Sequence, residues 1–257
     1  MECLAIDWSG ALAGERSKIW IASATAGSLT SLVAPGSRDA VRDFLLARRR
    51  LDAPCLVGLD FAFSFPAWFA SSRGWTHARD VWTAARDDGE VWLGACTPPF
   101  WGRAGTTRPH QPERGLRETE RAWPLSSQPK SIFQIGGAGA VGTGSIRGMP
   151  MLLALREAGW NIWPFDAPST HTLVEIYPRV FTGPVVKRDP AARSAYLTTH
   201  HLTRRRAFID AMSASEDAFD AGVSAVAMSR AVSVTPIRLV DDAVAQIEGR
   251  IWVPGFA

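Results

Sequence analysis

The acids that are hardest to explain in this sequence stand at the ends of apolar runs. "CLAIDWSGA" is apolar up to Asp7, "APCLVGLDFAFSFP" up to Asp60, and "HTLVEIYP" carries Glu175 near its end. Desolvating a carboxylate is costly unless it pairs or binds a cation, so each of these acids calls for a partner. The segment "SEDAFDAGVSAVAMSRA", from Ser215 to Ala231, adds Asp217 and Asp220. Their spacing puts both on one face of the first turn of a helix whose body is apolar on nearly every side. Taken singly, any of these acids is as well explained by a turn, a helix cap or an arginine partner. Gathered in one place, they would repel one another and raise each other's pKa, a situation normally resolved by divalent cations. Magnesium suits such a set, because it takes oxygen ligands and keeps waters or substrate phosphates in its remaining positions.

Bringing these acids together requires strands whose ends meet. "CLAIDWSGA" reads as a buried strand handing over to a tight turn at Ser9 and Gly10. "KIWIASATAG" (Lys18 to Gly27) and "SLTSLVAPG" (Ser28 to Gly36) are strand-like runs separated by Gly27-Ser28. They predict a hairpin and, with the first strand, an antiparallel meander of three strands. Ser37 is placed to cap an amphipathic helix over "SRDAVRDFLLARRR", with Val41, Phe44, Leu45 and Ala47 on its apolar face. The run ending at Asp60 is a fourth strand.

From Pro66 to about Asp166 the regular alternation breaks down. The Pro-, Arg-, Gly- and Trp-rich stretch from Thr97 to Lys130 predicts a large insertion, about residues 66–147, on one side of the fold. "SIFQI" then predicts a short strand, followed by a glycine-rich loop, a helix opened by Pro150 and ended by Gly159, and another strand-like run. The strand "HTLVEIYP", a helix over "PAARSAYLTTHHLTRRRAFIDAMS", the apolar helix and a strand-like tail "QIEGRIWVPGF" complete the chain. The expectation is one α/β domain over 1–257, with a mixed central sheet of meander plus parallel strands flanked by helices. In open α/β sheets chemistry collects at the carboxyl ends of strands, which is where Asp7, Asp60 and Glu175 stand.

Composition narrows the class without fixing the partner. The 257 residues are 46% hydrophobic with a formal net charge of +3, which permits a polyanionic partner and does not demand one. Cys3, Cys55 and Cys96 are isolated, suggesting neither a zinc site nor a disulfide framework. The chain opens on Met-Glu and runs directly into a strand, and no apolar run approaches the roughly 20 residues that a bilayer needs. A cytoplasmic protein without a membrane partner is expected.

"GAGAVG" (Gly137, Gly139, Gly142) matches the GxGxxG of dinucleotide-binding folds, with the strand-like "SIFQI" ahead of it. Gly144, Gly148 and Pro150 are expected to postpone the helix past the motif, which argues against a dinucleotide site. The N–H groups of the loop would instead suit phosphate, with Arg147 beside them. Lys130, just before the loop, is placed either to touch a scissile phosphate or to be an ordinary solvated lysine. Arg204, Arg205 and Arg206, beside His200 and His201, fit phosphate contacts or a solvated helix face, and the face is the plainer choice. Trp75, Trp82, Trp92, Trp101 and Trp123 are interleaved with arginines, which suits base stacking; packing against the core is the simpler explanation.

The order of elements, with acids on the first strand (Asp7), the fourth (Asp60) and a final apolar helix (Asp217, Asp220), resembles the ribonuclease H-like fold. "EDAFDAGVSAVAM" is similar to the closing D-x-x-D-A helix of RuvC-type resolvases. More closely, "AIDWSGA", "GLDFAFSFP", "FQIGGAGAVGTGSIRGMPML", "WPFD", "EIYPR", "DAFDA" and "EGRIWVP", in this order over most of the chain, resemble a domain-of-unknown-function group, four-two-nine, of predicted RNase H-like nucleases.

The resemblance implies a two-metal phosphodiesterase using Mg2+ or Mn2+, with DNA or RNA as partner. Asp7 would bridge both ions, Asp60 and Asp220 would each hold one, and Asp217 and Glu175 would complete or orient the shell, the ions lying roughly 3.5–4 Å apart. Two other functions stay open. One is a nucleotide-binding ATPase or phosphotransferase on the same core, for whose duplicated form the chain is short. The other is a non-catalytic nucleic-acid or protein-binding module in which the acids merely cap turns.

Overall fold

Glu2–Asp7 forms β1, and every residue in it after Glu2 is buried. In the computed structural model, which describes residues 1–123 and 127–255, β1 lies at the middle of a six-stranded sheet ordered β3-β2-β1-β4-β6-β5. β1 pairs antiparallel with β2 (Trp20–Thr25), and β2 pairs antiparallel with β3 (Ser28–Val33). On its other side β1 runs parallel to β4 (Cys55–Leu59); β6 (His171–Glu175) and β5 (Asn161–Ile162) continue in parallel. The meander plus parallel strands expected from sequence is therefore present. Its hairpin turns at Ala26 (φ 50°) and Gly27 (φ 75°), one residue earlier than expected, with Thr25 facing Ser28. Two consecutive left-handed residues are what a tight hairpin needs to match the twist of its strands.

The helices are α1 (Glu15–Lys18), α2 (Arg38–Arg49), α3 (Ala67–Ser72), α4 (Ala78–Ala95), α5 (Glu118–Arg121), α6 (Gly142–Glu157), α7 (Arg179–Thr182), α8 (Pro190–His200), α9 (Arg206–Ala214), α10 (Glu216–Ala231) and α11 (Ala245–Glu248). None among the described residues is long and apolar enough to cross a membrane. Ser37 caps α2 as expected, its Oγ accepting from Ala40 N at 3.1 Å, and Val41 and Leu45 are buried while Phe44 is exposed.

Successive side chains of a strand point to opposite faces, and here both faces are covered. Leu4 and Ile6 of β1, Val57 and Leu59 of β4, and Leu173 of β6 join a core with α2, α4 and α6. Cys3 and Ala5, Leu56, and Val174 join the other core, which is built around α10. This division decides where the acids go.

Five expectations need correction. The stretch read as an insertion contains α4, 18 residues long, which packs on α6 and buries Trp82 completely; residues 124–126 of that stretch lie outside the described part. "SIFQI" makes only an isolated bridge, Gln134 to Trp101, and no strand. The next helix, α6, starts at Gly142 and carries Pro150 inside it, so it begins eight residues before its expected start, within the glycine motif. The segment 190–213 breaks at His201 (φ 48°) into α8 and α9, and the tail supplies α11 and a single bridge, Ile251 to Glu175, in place of a strand. Residue 256 of the tail is outside the described residues. Trp75 and Trp92 pack with Phe65, Phe69, Phe100 and Phe133 in one aromatic cluster, the plainer of their two readings.

Candidate active site

Alternation places Asp7 with Cys3 and Ala5, and Asp60 with Leu56 and Gly58, on the α10 face of the sheet. Gly58 confirms the side: a Cβ there would meet Met228 Sδ of α10 at 2.8 Å. The two aspartates are neighbours across the parallel pair, since Asp60 N donates to Ile6 O at 3.1 Å. α10 packs on β1 and β2, and its first turns carry Asp217 and Asp220. The turn is fixed by Ser215, whose Oγ accepts from Ala218 N at 3.2 Å. Four aspartates from three separate stretches of chain thus meet at one end of the sheet.

Their electrostatics show how close that meeting is. Burial pushes the Asp7 carboxyl well above the usual carboxylate range, and Asp60, Asp220 and Asp217 push it further. The Asp60 carboxyl is pushed up to about 8, by burial first and then by Asp220. Asp217 and Asp220 are also raised, again mainly by burial. Desolvation is the largest cause for all four, and for Asp7, Asp60 and Asp217 repulsion from neighbouring aspartates adds to it.

Among the described residues one cation pairs directly with the group. Lys187, in the loop between α7 and α8, donates from Nζ to Asp220 Oδ2 and lowers the pKa of all four aspartates. Its loop is held by Arg193 of α8, which is 2% exposed; its guanidinium donates to Lys187 O and to Ser213 O, the latter at 2.6 Å from Nη2. The other oxygen, Asp220 Oδ1, is buried without a hydrogen-bond partner. That orphaned acceptor, in an all-carboxylate donor set, suits a hard divalent cation. Among the described residues no group of three His, Cys, Asp or Glu side chains closes around a single point, so the residues fit an ion held by one or two carboxylates and otherwise by water, and do not form a closed cage.

Glu175 lies on the other face of the sheet from the aspartates, near enough to raise the Asp60 pKa but paired with Arg117. Its strand neighbour Leu173 faces the α6 side, and so does Glu175, across the sheet from α10. There it accepts from Arg117 Nη1 at 2.8 Å and from Phe63 N at 3.0 Å. Arg117, 1% exposed, also donates from Nε to Glu120 Oε1 at 2.9 Å and from Nη1 to Glu248 O at 3.0 Å. The cluster ties β6, α5, α11 and the segment after Asp60 together, so Glu175 orients the backbone that carries Asp60.

A cleft of about 660 Å³ opens beside the site, and Asp60, Trp8, Lys18, Lys130, Gly139 and Tyr177 are among its lining residues. Gly137 and Gly139 (φ 76° and 74°) also line it, and Lys130 lies along the glycine loop, since a Cβ on Gly139 would meet its Cε at 3.7 Å. Gly142 is packed instead, its missing Cβ lying 2.0 Å from Ile132 O. Arg147 is turned away from this cleft: it pairs with Glu90 (Nε to Oε1 2.7 Å), donates to Gly10 O and lines a different hollow. The helix does begin inside the GxGxxG motif, contrary to expectation, but the segment directly before it, 131–141, forms no strand.

Lys187, Arg193 and Glu120 belong to no motif of the sequence, and Arg117 counts there only among the arginines interleaved with tryptophans. Only the lysine had a signal, rarity: of 28 Lys and Arg residues just three are lysines, Lys18, Lys130 and Lys187. No family model, curated protein or solved structure matches this chain.

Proposed function

We propose that this protein is a divalent-metal-dependent phosphodiesterase acting on DNA or RNA, with a ribonuclease H-like fold. The observation that carries the reading is the meeting of Asp7, Asp60, Asp217 and Asp220, all with raised pKa values, at one end of the sheet, with Asp220 Oδ1 left without a partner. The sheet order, an antiparallel meander continued by parallel strands from β1, supports the fold part. Bound Mg2+ or Mn2+ would activate water and stabilise the leaving oxygen of an in-line displacement. Asp7, Asp60 and Asp220 would supply the carboxylates, one or two to an ion with water completing its shell, and Asp217 would complete or orient that shell. Arg117 and Glu175 would keep the Asp60 segment in register, and the cleft would admit the substrate strand.

Calorimetric titration with Mn2+, together with cleavage assays on labelled DNA and RNA, tests the reading. Metal uptake with chelator-sensitive cleavage, abolished in Asp7→Asn, is expected. A site that binds Mn2+ yet turns over no nucleic acid, or cleavage indifferent to chelators, would overturn it.

One observation favours a second reading, a nucleotide-binding phosphotransferase: α6 begins within the glycine motif that lines the cleft, and a helix N-terminus attracts phosphate. Thermal stabilisation by ATP but not by an oligonucleotide would select it.

A further inference from the structure

This chain is nearly free of lysine, yet all three lysines stand at the site. Lys187 pairs with Asp220, while Lys18 and Lys130 line the cleft that Asp60 also lines. Arginine supplies every other basic position. The two side chains differ in what they do to an anion. Arginine is a planar fork suited to one fixed bidentate geometry; lysine is a compact charge on a flexible stem whose three donors reorient freely. A strand sliding past a reacting centre offers phosphates at changing positions, a task for lysine.

Lys18 and Lys130 are also free for it. Both are exposed, and neither forms an ion pair among the described residues, whereas the cleft's arginine, Arg117, is consumed by Glu175 and Glu120. They come from different parts of the fold: Lys18 ends α1, and Lys130 lies along the glycine loop. The half-buried Tyr177 ring lines the same cleft, while Trp8 beside it is buried against Phe61. Cations along a groove with an aromatic ring in its wall are the two components of unpaired-strand binding.

We propose that this cleft is the track of a single-stranded nucleic acid, with Lys18 and Lys130 as its two phosphate contacts. The proposal rests on the nucleic-acid reading above and adds to it the binding residues and the strandedness of the substrate.

The test is fluorescence anisotropy with a short labelled single-stranded oligonucleotide in EDTA, where no cleavage occurs, at several salt concentrations. Each of Lys18→Gln and Lys130→Gln is expected to weaken binding and to reduce the slope of log K against log salt by about 0.7, the share of one phosphate contact on a single strand. Arg79→Gln, exposed on α4 and outside the cleft, is expected to leave both unchanged. Salt slopes that stay at the wild-type value in both lysine variants overturn the proposal, as does tighter binding of the matching duplex or no binding of the strand at all. Slope loss in the lysine variants, in a protein that cleaves nothing with Mn2+, supports this site while removing the nuclease reading. Cleavage with unchanged lysine-variant binding does the reverse.

Discussion

Lys187 and Asp220, 33 positions apart in the chain, form an ion pair at the start of α10 in which the ammonium takes Oδ2 and leaves Oδ1 buried without a partner. The pair is mostly buried, with 18% and 10% of its side chains exposed, so removing one partner costs more than breaking a surface ion pair, and its loop is anchored by Arg193.

Replacing Lys187 by methionine removes the cation that, among the described residues, pairs directly with one of the four carboxylates. The metal-free protein is expected to lose about 1–3 kcal/mol of stability, the cost of leaving a buried charge unpaired. The rise in Tm on adding Mn2+ should then exceed that of the wild type, because metal replaces a missing charge. Differential scanning calorimetry with EDTA and with Mn2+ measures both, and an unchanged metal-free Tm would sink the idea.

Stability should fall as pH rises. Because Asp7 and Asp60 hold protons in the folded protein that an unfolded chain releases near pH 4, their contribution is fully present below about pH 4 and is lost as pH climbs through the folded values, about 8 for Asp60. The slope is up to about 1.4 kcal/mol per pH unit for each retained proton. Urea unfolding in EDTA across this range should show the decline, and Asp60→Asn should flatten it. Stability that is level across the range in the wild type would contradict the assignment.

Arg117, buried, stands between Glu175 and Glu120 and pairs with both. Arg117→Met strands two buried carboxylates and is expected to cost about 3–5 kcal/mol. Arg117→Lys should recover only part, since one ammonium cannot reproduce the fork that reaches both acids and the Glu248 carbonyl. Equilibrium urea denaturation separates the two variants; equal stability of Arg117→Met and wild type would refute the positioning role.

Gly10 is the point where the β1 loop touches α6. A Cβ there would lie 2.5 Å from Gly144 N, a backbone atom that cannot swing aside. Gly10→Ala should therefore cost about 1–3 kcal/mol through forced backbone movement. It should also disturb the contact of Trp8 Nε1 with Gly144 O, now 2.9 Å, which tryptophan fluorescence would report.

Much of the scaffold was legible because its signals are local. The strands of the meander, β4, β6, the Ser37 cap and the whole of α10 follow from apolar periodicity and capping chemistry over a few residues each. The helices that were misread show where local signals fail. Gly144, Gly148 and Pro150 look like obstacles, yet α6 runs through them because tertiary packing requires small residues: a Cβ at Gly148 would strike the Phe61 ring at 2.6 Å. Propensity is a weak preference, and packing overrode it. α4 was overlooked because its surroundings are irregular, although its own residues alternate well enough to bury Val81, Trp82, Ala85 and Leu93.

The sequence by itself determined that Asp7, Asp60 and Glu175 end apolar strands and that Asp217 and Asp220 share one helical face, since side-chain direction along a strand or helix has a fixed period. It could not determine which face of the sheet each strand end serves, because that depends on register between strands distant in the chain. Leu59 lies opposite Glu175 and Ile6 opposite Leu59, so Glu175 shares their face and meets Arg117, while Asp7 and Asp60 emerge on the other face beneath α10. Only the tertiary structure made that choice, because a shift of one residue in pairing would exchange the two faces.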